Sequence, residues 1–311
     1  MVTEFFRAGQ TAVVVCATLL AVGGCSKSSV KVDGSSTVYE ITEAVAEEFH
    51  KERPEVRVIV GFSGTGGGMK KFYAGELDVC DASRRIKDEE RELCAKNGVE
   101  FIELEVAYDG ISIVVNPEND WCDGLTVEQL KAIWQPESAI SKWSDVDSNW
   151  PEEEIELFGP GTDSGTFEYF TEAIVGAAHS SRSDYTPNED DNMLVRGVAG
   201  TKYAMGYFGL AYYEQNQDKL KLLGVDDGDG ELVRPTPETV RANTYKPLSR
   251  PLFIYVRKSS LARPDVAAFV KFYVENVASL VSEVGYVAVT EEVNVRNRQI
   301  LADALPAGPS T

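Results

Sequence analysis

Residues 159–170 read GPGTDSGTFEYF. A strand-like run, Ile155 to Phe158, leads into them, and Phe167, Tyr169 and Phe170 restart an apolar pattern afterwards. An ordinary helix start needs one hydroxyl or carboxylate cap and at most one glycine. Here Gly159, Gly161 and Gly165 are interleaved with Thr162, Asp163, Ser164 and Thr166. That surplus of flexible, hydrogen-bonding residues between a strand and a helix marks a backbone that something else must approach.

Two further segments have the same form. DGSST (33–37) and GFSGTGGG (61–68) also place Ser and Thr beside Gly directly ahead of a helical pattern. A helix start exposes unpaired N–H groups and a partial positive charge. Glycine lets a ligand approach that backbone, and hydroxyls add donors. A single such turn reads as an N-cap. Three of them, joined by DASRR (81–85) with Ser83 and Arg84, point to convergent anion binding.

The elements around these turns define the class. Val38, Ile41, Val45 and Phe49 form one helical face, with Ser36 or Thr37 as its N-cap. VRVIV (56–60) is a strand before the second turn, and Met69 to Tyr73 begins a helix after it. LDVC (77–80) is a strand, KDEERELCAKNG (87–98) a helix ended at Gly98, and FIELEVAYDGISIVVN (101–116) a long β segment interrupted at Asp109-Gly110. TVEQLKAIW (126–134) is a capped helix. The opening motif starts one reaching about Ala178, and GVDDGDGELV (224–233) is a hairpin without calcium-loop spacing. RPLFIYVR (250–257) is a buried strand and 264–282 a helix. Strands alternating with helices give an α/β fold with mostly parallel pairing.

Composition sets the limits. The 311 residues are 43% hydrophobic and 26% charged, with a formal net charge of −20 and a pI near 4.6. So acidic a chain has no basic surface for nucleic acid. A small anion is another matter, because surface carboxylates farther away than about 8 Å are screened at physiological ionic strength. His50 and His179 are the only histidines, they are far apart, and no Cys-x-x-Cys occurs, so no metal site or cofactor is expected. His50 reads as exposed near a helix end.

Arg7 precedes TAVVVCATLLAV (11–22), too short to span a bilayer and right for a signal h-region. VGGC (22–25) then resembles a bacterial lipobox. It implies that residues 1–24 leave as a signal peptide, that Cys25 carries lipid, and that 25–30 are a tether at a membrane surface. The alternative, a buried N-terminal helix with a chance cysteine, sits poorly with the polar SKSS that follows. Cys80, Cys94 and Cys122 then remain in an oxidising compartment, where one bridge can form. Closeness in sequence favours Cys80 with Cys94.

Enzyme motifs fail on spacing. GFSGTGGGMKK (61–71) is neither a Walker A loop nor a dinucleotide fingerprint, since Met69 occupies the third glycine's place. Thr65 stands where a nucleophile elbow needs glycine. No histidine lies near a serine motif, so a Ser-His-Asp hydrolase lacks material.

At DGSSTV (33–38), GFSGTGGGMKKFYAGELDVCDASRRIK (61–87), GPGTDSGTFEYFTEAI (159–174) and YKPLSRPLFIYV (245–256) the chain resembles the phosphate-binding proteins of bacterial high-affinity phosphate ABC importers, above all the lipid-anchored cyanobacterial type. The similarity spans roughly residues 31 to 290. It implies a two-lobed, type II periplasmic-binding-protein fold closing on one phosphate in the interlobe cleft. Residues 31–108 with 250–311 would form one lobe and 109–249 the other. The partners implied are inorganic phosphate and the importer's permease subunits; the protein itself would be a monomer, exported and lipid-anchored outside the cytoplasmic membrane. Alternatives are a receptor for sulfate or molybdate, a phosphate sensor without transport, and a secreted phosphatase-like hydrolase.

Carried over by motif, the ligand turns are Ser36 and Thr37, Ser63 and Thr65, Ser83, and Ser164, Gly165 and Thr166. Two positions depart from the family. Many members have an aspartate after the serine of the third turn, as acceptor for the phosphate proton, where this chain has Arg84. Many have an arginine at the start of the fourth turn, where this chain has Pro160. Arg84 is therefore expected to supply the missing charge, and Asp163 or Asp81 to act as acceptor.

Overall fold

In Ser29–Gly34 (β1), Val30 and Val32 are buried while Lys31 between them is exposed, the period-two pattern of a strand with one inward face. The structure is a computed structural model and describes residues 29–306, so the signal segment, Cys25 and the start of the tether lie outside the described residues. After β1 come α1 (Ser36–Glu52), β2 (Arg57–Phe62), α2 (Gly64–Tyr73), β3 (Val79–Ala82), α3 (Asp88–Lys96) and β4 (Phe101–Val115). The middle of the chain adds β5 (Gly124–Thr126), α4 (Val127–Trp134), α5 (Trp143–Val146), β6 (Glu156–Gly159), α6 (Gly165–Phe170), β7 (Thr186–Pro187) and α7 (Asp191–Gly200). It continues through β8 (Ala204–Gly209), α8 (Leu210–Glu214), β9 (Lys221–Leu222), β10 (Gly224–Asp226) and α9 (Pro237–Arg241). The chain then returns with β11 (Ser249–Arg257), α10 (Pro264–Leu280), β12 (Val287–Ala288) and α11 (Glu291–Ala304).

Parallel pairing of β2, β1 and β3 builds one lobe, and parallel pairing of β8, β6 and β7 builds the other. Antiparallel β11 and β4 join them, so the strands form one path, β2-β1-β3-β11-β4-β8-β6-β7. The expected break at Asp109-Gly110 is instead a change of partner. β4 runs unbroken, paired with β11 as far as Gly110 and with β8 from Ile111.

Each lobe has its own core. Val38, Ile41, Val45 and Phe49 of α1 pack on Val266, Phe269, Val270 and Tyr273 of α10. Leu130, Ile133 and Trp134 of α4 pack with Phe167, Phe170 and Tyr207 in the other lobe. His50 is exposed two residues from the end of α1. The helix after the opening motif is shorter than its apolar pattern suggests. Thr171 Oγ1 donates to Phe167 O (2.8 Å) and Glu168 O (3.0 Å), competing with the backbone ladder. A π-helical turn follows and stops at Gly176, whose φ is +95°.

The expected disulfide is corrected. Cys80, Cys94 and Cys122 are all free and buried. Cys80 and Cys94 share an apolar cluster, but Cys80 Sγ fills the gap beneath Gly68 of α2, 3.1 Å from where a Cβ would stand, and donates to Asp81 O. Burial pushes the Cys80 thiol well up, raises Cys94 and takes Cys122 up to about 12.

Candidate functional site between the lobes

The first turn starts one residue earlier than the sequence suggests. Ser35 is the N-cap of α1, its Oγ accepting from Val38 N (3.5 Å) while its own N–H donates to Asp81 O (2.9 Å). Ser36 and Thr37 are therefore the first two helical residues. Among the described residues their amides have no intramolecular acceptor, the condition under which a helix start can hold an anion.

The fourth turn meets the first across the cleft. Ser164 caps α6 by accepting from Thr166 N (3.1 Å), and Gly165 presses against α1. A Cβ on Gly165 would lie 2.8 Å from Thr37 Cα and 2.9 Å from Thr37 N. Thr37 Oγ1 donates to Gly165 O (3.4 Å), and Ser36 Oγ donates to Glu168 Oε2. The surplus glycine at 165 thus has a cause in packing.

The second and third turns meet each other. Thr65 Oγ1 and Ser83 Oγ share a hydrogen bond of 3.1 Å, and Ser83 N donates to Thr65 Oγ1 (3.1 Å). Ser63, by contrast, turns away. Its Oγ donates to Asp33 Oδ1 (2.5 Å), whose Oδ2 accepts from Lys71 Nζ (2.6 Å).

Arg84 does not fill the role expected of it. Its guanidinium is held by both oxygens of Glu90 (2.9 Å each), whose Oε2 also accepts from Lys87 N at the start of α3. The guanidinium at the cleft belongs to Arg250 on β11. Nη2 donates to Thr37 Oγ1 (2.8 Å), and Nε and Nη2 both reach Asp109 Oδ2 (3.2 and 3.1 Å). Asp109 lies opposite Arg250 in the β4–β11 register, and its carboxyl is raised by burial against the lowering effect of Arg250. Arg250 also stands 3.5 Å from the ring centroid of Tyr169 on α6, a desolvated cation–π contact. One side chain thus touches the crossing strand, the first lobe and the second lobe.

Of the two expected acceptors, Asp163 is exposed and lines a pocket together with Ser164 and Thr166. Asp81 is fully buried on the α1–α10 side of β3 and neither oxygen has a well-formed hydrogen bond. Burial takes its carboxyl up to about 8, the nearby Thr42 hydroxyl only partly offsetting this.

A family model for the PBP superfamily domain matches residues 21–277. The chain belongs to the PBP superfamily. Within it, the chain is 46% identical over 296 residues to protein SphX of Synechocystis sp., covering 93% of this chain and 88% of that protein. It is 39% identical over 267 residues to the phosphate-binding protein PstS of Staphylococcus haemolyticus, covering 86% and 83%. A crystal structure described as a possible phosphate binding protein from Planctomyces limnophilus superposes with a TM-score of 0.85 at 50% identity, over 90% of this chain and 99% of that one.

For this PBP superfamily member, the residues missed in the sequence are Arg250, Asp109, Tyr169 and Glu168. Arg250 stood in plain view in PLSRPL, an arginine followed by a strand whose Leu252 to Val256 are buried. Nothing local linked it to Thr37, 213 residues away. On the DDGDG turn, Asp226, Asp227 and Asp229 place carboxylates within 4.8 Å of one another. Asp226 Oδ1 accepts there from Gly228 N (2.8 Å) and Gly230 N (3.0 Å), bonds internal to the turn.

Proposed function

We propose that this protein binds inorganic phosphate between its lobes, outside the cytoplasmic membrane, and hands it to an ABC importer. The observation that carries the reading is the meeting at Thr37 of an unsatisfied helix start, the Arg250 guanidinium and the Gly165 backbone of the opposite lobe. Ser36, Thr37, Thr65, Ser83, Ser164, Gly165 and Thr166 supply hydroxyls and amides; Arg250 supplies the charge. Charge-assisted hydrogen bonds contribute about 1.5–3 kcal/mol each, while micromolar affinity needs about 8 kcal/mol. A handful suffices once the desolvation of the anion is offset.

The groups offered are donors without an activated nucleophile, so the protein acts as a receptor and not an enzyme. Among the described residues, no serine is hydrogen-bonded by a histidine ring, and both histidines are exposed. Glu168, which accepts from Ser36, takes the acceptor role assigned to Asp163 or Asp81. It would accept a hydrogen bond from a protonated phosphate and repel sulfate, which has no proton to donate. The lobes are 31–108 with 250–306, and 109–249. Export and the lipid on Cys25, supported by the sequence features at the N-terminus, and a monomeric state complete the proposal.

Equilibrium dialysis with labelled phosphate, competed by sulfate and arsenate, tests the reading. Binding of one phosphate per chain is expected, displaced by arsenate and unaffected by sulfate, and Glu168→Gln is expected to admit sulfate. Equal competition by sulfate in the native protein would overturn it.

A further inference from the structure

Behind the Thr37–Gly165 contact lies a pocket of about 420 Å³. Its walls come from both lobes: Glu40 on α1, Asp163, Ser164 and Thr166 at the start of α6, Glu189 and Asp191 at the start of α7, and Glu283 and Tyr286 after α10, so it adjoins the hydroxyls assigned to the anion. Among the described residues, no lysine or arginine lines it. Glu40 lies one helical turn beyond Ser36, which is joined to Glu168 of the other lobe, and it lines the same pocket as Asp191. The Tyr286 hydroxyl donates to Glu40 Oε2 (2.8 Å). The Arg250 guanidinium, whose charge is felt at Tyr286, is already bound to Asp109.

We infer that Glu40 of one lobe and Asp191 of the other, held in one pocket in the closed state, bind protons more readily there, so that closing on the anion takes up a proton from solvent and opening returns it. Two carboxylates drawn together away from water cannot both stay ionised without cost. The groups that face them agree. Glu40 feels Asp109 and Glu189, and only the Tyr286 hydroxyl opposes them. Asp191 feels Glu40, Asp190 and Glu189, offset only by the Gly209 backbone. Burial and these neighbours push both carboxyls up to about 7. In the open state the two are solvated apart and ionise in the ordinary carboxylate range.

The sign follows from linkage. A carboxyl raised on closing favours the closed state at low pH, and that advantage is lost as pH rises towards 7. Relative to a variant without the pair, anion affinity falls up to about tenfold per pH unit between roughly pH 5 and pH 7, then levels.

The inference rests on the phosphate reading for its ligand, so the test has one arm with phosphate and one without. In calorimetry at pH 6 in buffers of different ionisation enthalpy, phosphate binding to the native protein takes up about one proton more than binding to Glu40→Gln/Asp191→Asn. Subtracting the variant removes the anion's own titration. In ligand-free small-angle scattering, the native protein is more compact at pH 5.5 than at pH 8, and the double variant is equally compact at both. Glu40→Gln alone serves if the double variant does not fold. Equal proton counts or matching pH responses in native and variant protein overturn the inference. So does 1 mM calcium chloride abolishing the difference, which would assign the pocket to a cation. A native protein that takes up no phosphate yet shows the scattering change overturns only the choice of ligand.

Discussion

Arg84 and Arg250 each form a paired contact with a carboxylate, and the similarity ends there. Arg84 sits in the motif where a ligand charge was sought, yet its partner Glu90 belongs to the start of α3, and about a third of the arginine side chain is exposed. Arg250 sits outside any glycine-rich turn. It is paired with an aspartate only 1% exposed, where the strands joining the lobes pass each other. The contrast shows that position in a binding motif does not set where a guanidinium points. Strand register and lobe closure do.

The largest expected effect separates the two arginines. Arg250→Ala leaves Asp109 buried without a partner, which costs about 3–5 kcal/mol, and phosphate affinity falls at least tenfold with the lost charge-assisted bond. Denaturant unfolding and calorimetry of the same preparation check both. A stable variant with native affinity would put Arg250 on a par with Arg84.

Gly165→Ala sharpens the comparison from the other lobe. Its methyl group would meet the Thr37 backbone and hold the lobes apart, at a cost of about 1–3 kcal/mol, or roughly tenfold in affinity. Each lobe keeps its own core, so the unfolding midpoint should stay put. Phosphate titration beside a thermal melt distinguishes closure from folding.

Asp81 supplies the case of a buried carboxylate with no guanidinium at all. Its folded carboxyl is raised to about 8, so its penalty grows from about pH 4 and levels above pH 8. Asp81→Asn should stabilise the fold by about 1–3 kcal/mol at pH 8 and little at pH 4. Melts of both proteins at the two pH values test the sign; a gain largest at low pH would refute it. The smallest effect belongs to Arg84→Ala, about 0.2–1 kcal/mol of stability with phosphate affinity unchanged.

Much of this was legible in the sequence, for identifiable reasons. Turns, caps and apolar spacing are local, so the helix faces of α1 and α4 and the glycine-rich helix starts could be read directly. Contacts across the fold could not. The N-cap of α1 shifted by one residue because Ser35 N–H is claimed by Asp81 O on β3. Asp81 itself points away from the site because side chains on a strand alternate; Cys80 and Ala82 face the α2 cluster, leaving Asp81 on the opposite face. That alternation also sent the Cys80 thiol beneath Gly68.

The 15-residue β4 gives the molecule a mechanical character of its own. A strand hydrogen-bonded into both sheets cannot swivel as a loop does, and with β11 beside it the link behaves like a leaf spring. Relative lobe rotation must be taken up as twist spread over the few residues around Asp109 and Gly110, which confines it to nearly one direction. The Arg250–Asp109 pair is clamped at the point of greatest flexure. An anion that draws on Arg250 would therefore pull at the strands that join the lobes.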